Sequence, residues 1–416
     1  MDLSDQDKAR LDGSCGDAVA LAMRILTRSA QVMGAQRLID IENAHIDGCL
    51  YHGQASLDFV ERLVQGDGKV VVPTTLNVGS LDLIHPELFR GGDELKSSAQ
   101  RLMEAHIELG CESSFTCAPY QMKQRPRLGQ QIAWAESNAI VFANSVLGAR
   151  TNRYGDFMDL CAALTGRAPY CGLHIQENRY GRIVFEVTGF PQARDERDIW
   201  FAALGLLVGK RTGSLIPIIA GLPADTTEDE LKAIGAASAS SGSVAMFHAV
   251  GITPEARSLD VALGGKQPEA VIPVDMNDLR EVRATLNSAS PGDALVAVSV
   301  GTPHFSLAEC ATLERLLARH SRPLAVDFYV STSRYILWEL EESGSAQRLQ
   351  DFGVQFVTDT CTYITPVMKQ TRGLIMTNSG KWAHYAPANI GVEVAYGSLQ
   401  ECVLSAIEGK VCFHEQ

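Results

Sequence analysis

Ala294-Leu-Val-Ala-Val-Ser-Val300-Gly-Thr-Pro-His304-Phe-Ser306-Leu-Ala-Glu309 holds the pattern on which the fold turns. Its first half, Ala294–Val300, is a short, nearly continuous apolar run rich in valine. Such a run predicts a strand buried on both faces, as in a parallel sheet. Gly301-Thr302-Pro303-His304 then breaks the run. Ser306 followed by Glu309 predicts a capping box opening a helix over Leu307–His320. A buried strand, a polar turn and a helix form the unit of an α/β layer.

The same alternation extends in both directions. Strands are expected at Lys69–Val72, Ser214–Ile219, Val244–Ala249, Leu324–Tyr329, Gln355–Val357 and Leu374–Thr377. Helical spacing of apolar residues predicts helices at Asp17–Met33, Leu57–Gln65, Glu94–Leu109, Thr227–Ala236, Leu279–Leu286 and Ala346–Phe352. The fold class is therefore α/β with parallel-rich sheets. Turns at Thr188-Gly-Phe-Pro191 and Ala289-Ser-Pro-Gly292 suggest three parts. These are an N-terminal α/β domain at 1–200 carrying most site loops, a middle α/β domain at 201–290 and a C-terminal α/β domain at 291–416.

Charge narrows the partners. The chain has 416 residues with 36 Lys and Arg against 49 Asp and Glu, a net charge of −13. Such a surface repels nucleic-acid phosphates and anionic lipid. The longest uncharged run, Ala233–Pro254, is interrupted by serines and glycine and reads as a small-residue helix, a turn and a strand. The apolar Ile199–Gly209 is too short to span a bilayer. The first residues lack an apolar signal core, so a cytoplasmic location is expected. Ten cysteines occur without a CxxC pair, and in a reducing compartment a disulfide framework is not expected.

Polar residues cluster where strands end, the place where parallel sheets bind ligands. In Val72-Pro-Thr74-Thr75-Leu-Asn77, a strand releases two threonines and an asparagine suited to an anion, or to capping a turn. His45, Asp47 and Cys49 share one face if their segment is extended. Thr116-Cys117-Ala-Pro119-Tyr120 can aim a thiolate at a metal. Glu136 to Arg153 carries Ser137, Asn138, Asn144 and Ser145 as an uncharged polar stripe at a spacing of seven. That stripe fits a helix lining a polar cavity or one hydrogen-bonding within a core. Arg150 beyond it can clamp a carboxylate. Thr358-Asp-Thr-Cys361-Thr-Tyr363 is a second Cys loop, and Asn378-Ser379-Gly-Lys381 supplies small donors and a cation. His304 reads equally as a site residue or a core histidine. Two thiolates, Cys117 and Cys361, on comparable but remote loops fit a substrate-exposed iron–sulfur centre better than a structural zinc.

Seven blocks together, AHIDGCLY, VPTTLNVGSLD, TCAPY, ESNAIVFANSVLGARTNR, GTPHFS, TDTCTYITP and TNSGKWAHY, resemble the aconitase X family of the aconitase superfamily. The resemblance runs from about residue 35 to 410. It implies an aconitase-like three-domain α/β/α assembly that faces a swivelling domain, fused or separate. This chain looks like the large part lacking the swivelling domain, so a small swivelling-domain subunit is expected as partner. The resemblance implies an iron–sulfur cluster (2Fe-2S or 4Fe-4S) or iron, with Cys117 and Cys361 as ligands. Archaeal relatives carry Cys where Thr302 stands, which leaves Cys49 as the candidate third ligand.

Two activities belong to the family. One dehydrates cis-3-hydroxy-L-proline to Δ1-pyrroline-2-carboxylate, and the other dehydrates mevalonate 5-phosphate. The GCLY, GTPHFS and NSGKWAHY variants resemble the bacterial group, which favours hydroxyproline. Arg150, Ser145 and Asn138 are then expected to hold the carboxylate, with Thr74, Thr75, Asn77 and Ser379 as further contacts. Lys381 would neutralise developing enolate charge. The base is expected to be a serine of the partner, with His304 as the alternative within this chain. A non-catalytic iron–sulfur subunit or redox sensor is the reading from another class. A metal-free Cys/His hydrolase ranks last, for want of a motif.

Overall fold

The computed structural model describes residues 1–194 and 197–414. The chain divides into two compact units. The first comprises Met1–Leu81, Gly91–Tyr180 and Thr253–Glu255; the second comprises Asp82–Arg90, Gly181–Ile252 and Ala256–Gln416.

In the first unit, β1 (Leu38–Asp40) pairs antiparallel with a later strand, Arg167–Pro169. Three short strands, β2 (Ala44–Ile46), β3 (Thr74–Leu76) and β4 (Ala133–Trp134), form a parallel sheet in the order β3-β2-β4. His45 lies opposite Thr75 on one side and Trp134 on the other. All three strands therefore deliver their loops to one edge. The helix Asp17–Val32 turns Ala22, Met23, Leu26 and Ala30 inward, the three- and four-residue spacing of a buried helical stripe.

The strand expected at Lys69–Val72 is not formed, and β3 begins only after Pro73. The amides of Val70 and Val71 bond instead to the carbonyls of Leu109 and Ala163. Val71 is 60% exposed, so this apolar run has no second sheet face to fill. The polar stripe also differs from one regular helix. Ser137–Phe142 is α-helical, and Ala143–Leu147 widens into a π-turn closed by Gly148 at φ 68°. π-Turns are rare and gather at functional sites.

The second unit contains two wholly parallel sheets. The next strands in chain order are β5 (Arg167–Pro169, already met), β6 (Ile183–Val187), β7 (Pro217–Ala220), β8 (His248–Ala249) and β9 (Ala270–Val274). The last four pair in the order β8-β7-β6-β9. β6, which a boundary at residue 200 assigns to the first domain, pairs in register with β7 and β9. The helices Asp198–Thr212 and Glu228–Ser241 approach closely through small residues. A Cβ on Gly205 would sit 2.5 Å from the Ile234 carbonyl oxygen.

β10 (Leu295–Phe305), β11 (Asp327–Thr332), β12 (Val354–Val357), β13 (Leu374–Thr377) and β14 (Glu393–Tyr396) form the larger sheet, ordered β12-β11-β10-β13-β14. Its core includes Val298, Val300, Phe328, Val330, Phe356 and Met376. β10 shifts register between Val300 and Phe305, so the expected strand continues through the polar residues Thr302 and His304. The capping box stands as read. Ser306 Oγ accepts from the Glu309 amide at 3.2 Å, and the Ser306 amide donates to Glu309 at 2.8 Å. Among the described residues, no helix is long and apolar enough to cross a membrane.

Candidate active site

At the carboxyl edge of the β3-β2-β4 sheet, side chains pair across strand ends. His45 Nδ1 meets Thr75 Oγ1 at 2.8 Å. Burial lowers the His45 pKa to about 3, so the ring is neutral, and its Nε2 has no hydrogen-bond partner. Asn77 donates to Asp47, and the Asp47 amide donates to Asp159 at 2.8 Å. Asp159 is fully buried without a cation, and burial pushes its pKa up to about 8. Asn77 Oδ1 is buried and unpartnered. The Thr74 hydroxyl donates back to the Val72 carbonyl at 2.8 Å, the turn-capping alternative.

The Cys117 loop is latched by neutral groups. Asn138 Nδ2 donates to the Cys117 carbonyl at 2.6 Å, and Asn138 Oδ1 accepts from Tyr120 at 2.9 Å. Tyr120 stacks on Phe142 with ring centroids 3.7 Å apart. Glu136, at φ 68°, caps the following helix and accepts from the Ala139 amide at 2.7 Å. A non-glycine residue at positive φ marks stored backbone strain, which concentrates at functional sites.

Asn144 exchanges two hydrogen bonds with Thr151. Arg179, fully buried, donates to the carbonyls of Asn144, Ala149 and Leu173 and pairs with Glu255. Half of the polar stripe thus ties down the π-turn, the core-bonding alternative, and Ser145 is buried beside it. Arg150 donates to Gln176 and, at 3.5 Å, to the His174 carbonyl.

In the second unit, ionic groups hold the Cys361 loop. Asp359 stands at φ 58° and is gripped by Arg334 through two bonds of 2.9 and 2.6 Å. Asp82 accepts from the Thr358 amide and hydroxyl, both at 2.8 Å, and faces His85 at 3.1 Å. Burial pushes Asp82 up, but hydrogen bonds from His85 and Thr358 outweigh it and hold the carboxyl below the usual range. Thr362 bonds to Ser299 and Trp382, and His304 Nε2 lies 3.4 Å from the Thr360 carbonyl oxygen. Ser379 caps the helix Gly380–Ile390 and donates to the Thr302 carbonyl. Lys381 is buried.

One group of buried side chains has the make-up of a metal centre. In the second unit, the ligand atoms of His304 and Cys361 lie within 4.8 Å of each other, and both side chains are buried. Ligands around one tetrahedral ion stand about 3.5–4 Å apart, given metal–sulfur and metal–nitrogen bonds of about 2.0–2.3 Å. A soft sulfur and an imidazole can therefore share a transition metal, and Cys117, the other cysteine expected from sequence, is buried in the first unit. Cys49, the third ligand expected from sequence, is buried just after β2 in the first unit. Its sulfur bonds to the Asn77 carbonyl at 2.8 Å, and burial pushes the thiol well above its ordinary pKa.

Sequence reasoning missed Arg179, Asp82 and Arg334. Each acts through a partner distant in sequence, and the positive φ of Glu136 and Asp359 leaves no compositional trace.

Residues 1–177, 181–284 and 295–408 match the first, second and third domains of aconitase X. The chain is 43% identical over 98% of its length to the cis-3-hydroxy-L-proline dehydratase of Hypocrea jecorina, covering 69% of that protein. It is 44% identical to the enzyme of the same name from Pseudomonas aeruginosa, with 97% and 70% covered. It is 35% identical to the phosphomevalonate dehydratase large subunit of Methanocaldococcus jannaschii, with 96% and 99% covered. The crystal structure of Thermococcus kodakaraensis aconitase X in its holo-form superposes with a TM-score of 0.87 at 32% identity, covering 98% of this chain and all of that one. With all three domains matched in chain order, the chain belongs to the aconitase X family, and its activity class is that of a hydro-lyase.

Proposed function

We propose that this chain dehydrates cis-3-hydroxy-L-proline to Δ1-pyrroline-2-carboxylate, acting with iron and with a small swivelling-domain subunit. The observation that carries the substrate is the gradient of similarity. Identity is 43–44% to the hydroxyproline dehydratases, against 31–35% to the phosphomevalonate dehydratases. The small subunit is supported by the name "large subunit" borne by relatives of which this chain covers 98–99%. It is supported also by the third of the longer hydroxyproline enzymes that the chain does not match.

The reaction removes the proton at C2, next to the carboxylate, and the hydroxyl at C3, releasing water. The enamine so formed tautomerises to the Δ1 imine. Iron held by Cys117, Cys361 and His304, alone or as one corner of a cluster, would supply a Lewis acid for the departing hydroxyl. Ligation by His304 displaces its alternative role as base, which we assign to the partner.

Thr75, Asn77, Ser145, Arg150 and Ser379 are proposed substrate contacts, the unpartnered Asn77 Oδ1 being the open acceptor. Lys381 offsets negative charge growing on the carboxylate as the proton leaves. Asn138 is read as the residue that orients the Cys117 peptide, since both ends of its amide are engaged. Thr74 keeps its hydroxyl on its own backbone.

The test is anaerobic co-purification with the candidate small subunit, followed by assays on both substrates. Turnover of cis-3-hydroxy-L-proline well above that of mevalonate 5-phosphate is expected. The reverse preference would assign the phosphomevalonate reaction. Iron binding without turnover of either would leave a non-catalytic iron subunit.

A further inference from the structure

The second unit encloses a cavity of about 710 Å³ lined in part by Thr302, Ser379, Gly380, Lys381 and Lys232. Its acidic neighbours are engaged. Asp229 accepts from Ser306 at 2.7 Å and pairs with Lys232 at 3.0 Å, and Glu309 pairs with the same lysine. Asp198 accepts from the amides of Ile199 and Leu399. The helix Gly380–Ile390, 11 residues long, begins at this cavity. Its Trp382 amide is taken by Ser379 Oγ at 3.0 Å, whereas the Gly380 amide has no acceptor within the helix. A helix start of this kind favours an anion.

An independent observation marks the same place. Thr302 is 5% exposed, and its hydroxyl has no hydrogen-bond partner. A buried hydroxyl without a partner destabilises the fold, and valine would fill the same volume without that cost. Its main chain is occupied, since the Thr302 carbonyl accepts from Ser379. The side-chain hydroxyl is thus placed for something the chain does not contain.

We propose that the Thr302 hydroxyl and the start of the helix Gly380–Ile390 form the carboxylate subsite of the substrate. Thr302 donates to one carboxylate oxygen, and the Gly380 amide, beside Lys381, donates to the other. This assignment rests on the dehydratase reading and names a contact which that reading lacks.

The test compares Thr302→Val and Thr302→Ser with the wild-type complex in melting temperature, in kinetics with cis-3-hydroxy-L-proline, and in calorimetric binding of L-proline and L-prolinamide. Thr302→Val is expected to melt at the wild-type temperature or higher. It should raise KM and weaken L-proline binding about 10- to 100-fold, the range for a hydrogen bond to an ionised group. Prolinamide binding should stay unchanged, and Thr302→Ser should restore most of the loss. A valine variant that binds L-proline like wild type overturns the proposal. So does one that melts lower and weakens both ligands equally, since the hydroxyl then serves the fold. Wild-type complex that binds L-proline in a Thr302-dependent way but does not turn over hydroxyproline would sink the dehydratase reading and leave the subsite standing.

Discussion

The carboxyl edges of the two parallel sheets that carry the cysteine loops are built from opposite electrostatics. Around β2, β3 and β4, carboxylates are answered by amides: Asn77 on Asp47, and the Asp47 and Leu160 amides on Asp159. Around β10 to β13, they are answered by ionic groups: Arg334 on Asp359 and His85 on Asp82. An amide cannot compensate full desolvation of a charge, so Asp159 rises to about 8. An imidazole and a threonine together can, and Asp82 falls. Burial raises Asp359 even beside Arg334, so the opposite response to pH belongs to the pair Asp159 and Asp82, one at each cysteine-bearing edge.

The largest expected effect tests whether the two loops serve one centre. Cys117→Ser and Cys361→Ser should each abolish bound iron, measured by metal analysis and visible absorption, and reduce turnover to background. Iron retained in either variant would remove that cysteine from the centre.

Next in size is the ionic latch. Arg334→Met leaves Asp359, fully buried, without its cation. Breaking a buried pair costs about 3–5 kcal/mol. Denaturant unfolding should show that loss, while Asp359→Asn in the same background should recover part of it.

The pH contrast follows. Asp159 has a folded pKa of about 8, above its ordinary value of 3.8. Its contribution is therefore fully favourable below about 4 and is lost as pH rises toward 8. The slope approaches about 1.4 kcal/mol per pH unit. Asp159→Asn should remove that slope in urea titrations between these values. Asp82, whose folded pKa is lowered, has the opposite sign: its contribution is present above the unfolded carboxylate range and disappears as pH falls through the folded value. Asp82→Asn should flatten the acid limb instead. Equal behaviour of the two variants would break the comparison.

The neutral latch on the Cys117 loop should cost less. Asn138→Ala removes bonds to the Cys117 carbonyl and to Tyr120 and should destabilise by about 1–3 kcal/mol, read from thermal unfolding. Smallest of all, Cys49→Ala should leave the iron content unchanged and cost about 1 kcal/mol, the loss of its sulfur's bond to the Asn77 carbonyl; lost iron would make it a ligand.

The two regions also differ in how legible they are. The β10 strand, the Ser306–Glu309 capping box and the strand Leu374–Thr377 follow from local pattern, because burial on both faces writes a continuous apolar run. At Lys69–Val72 the same kind of run misleads. There the neighbouring backbone is two helix ends, not a strand. The seven-residue spacing of Asn and Ser marks a special helix, but spacing cannot show that Asn144 faces Thr151 and Arg179 or that the helix widens into a π-turn.

By itself, the sequence determined the α/β class, the parallel sheets and the helix starts. Each of these depends on residues near one another in the chain, whose periodicity and capping chemistry are local. Only the tertiary structure decided that the Cys49 sulfur meets the Asn77 carbonyl, that His304 lies near Cys361, that Asp359 needs Arg334, and that the Thr302 hydroxyl lacks a partner. Those are outcomes of three-dimensional proximity and desolvation, and neither has a period along a chain.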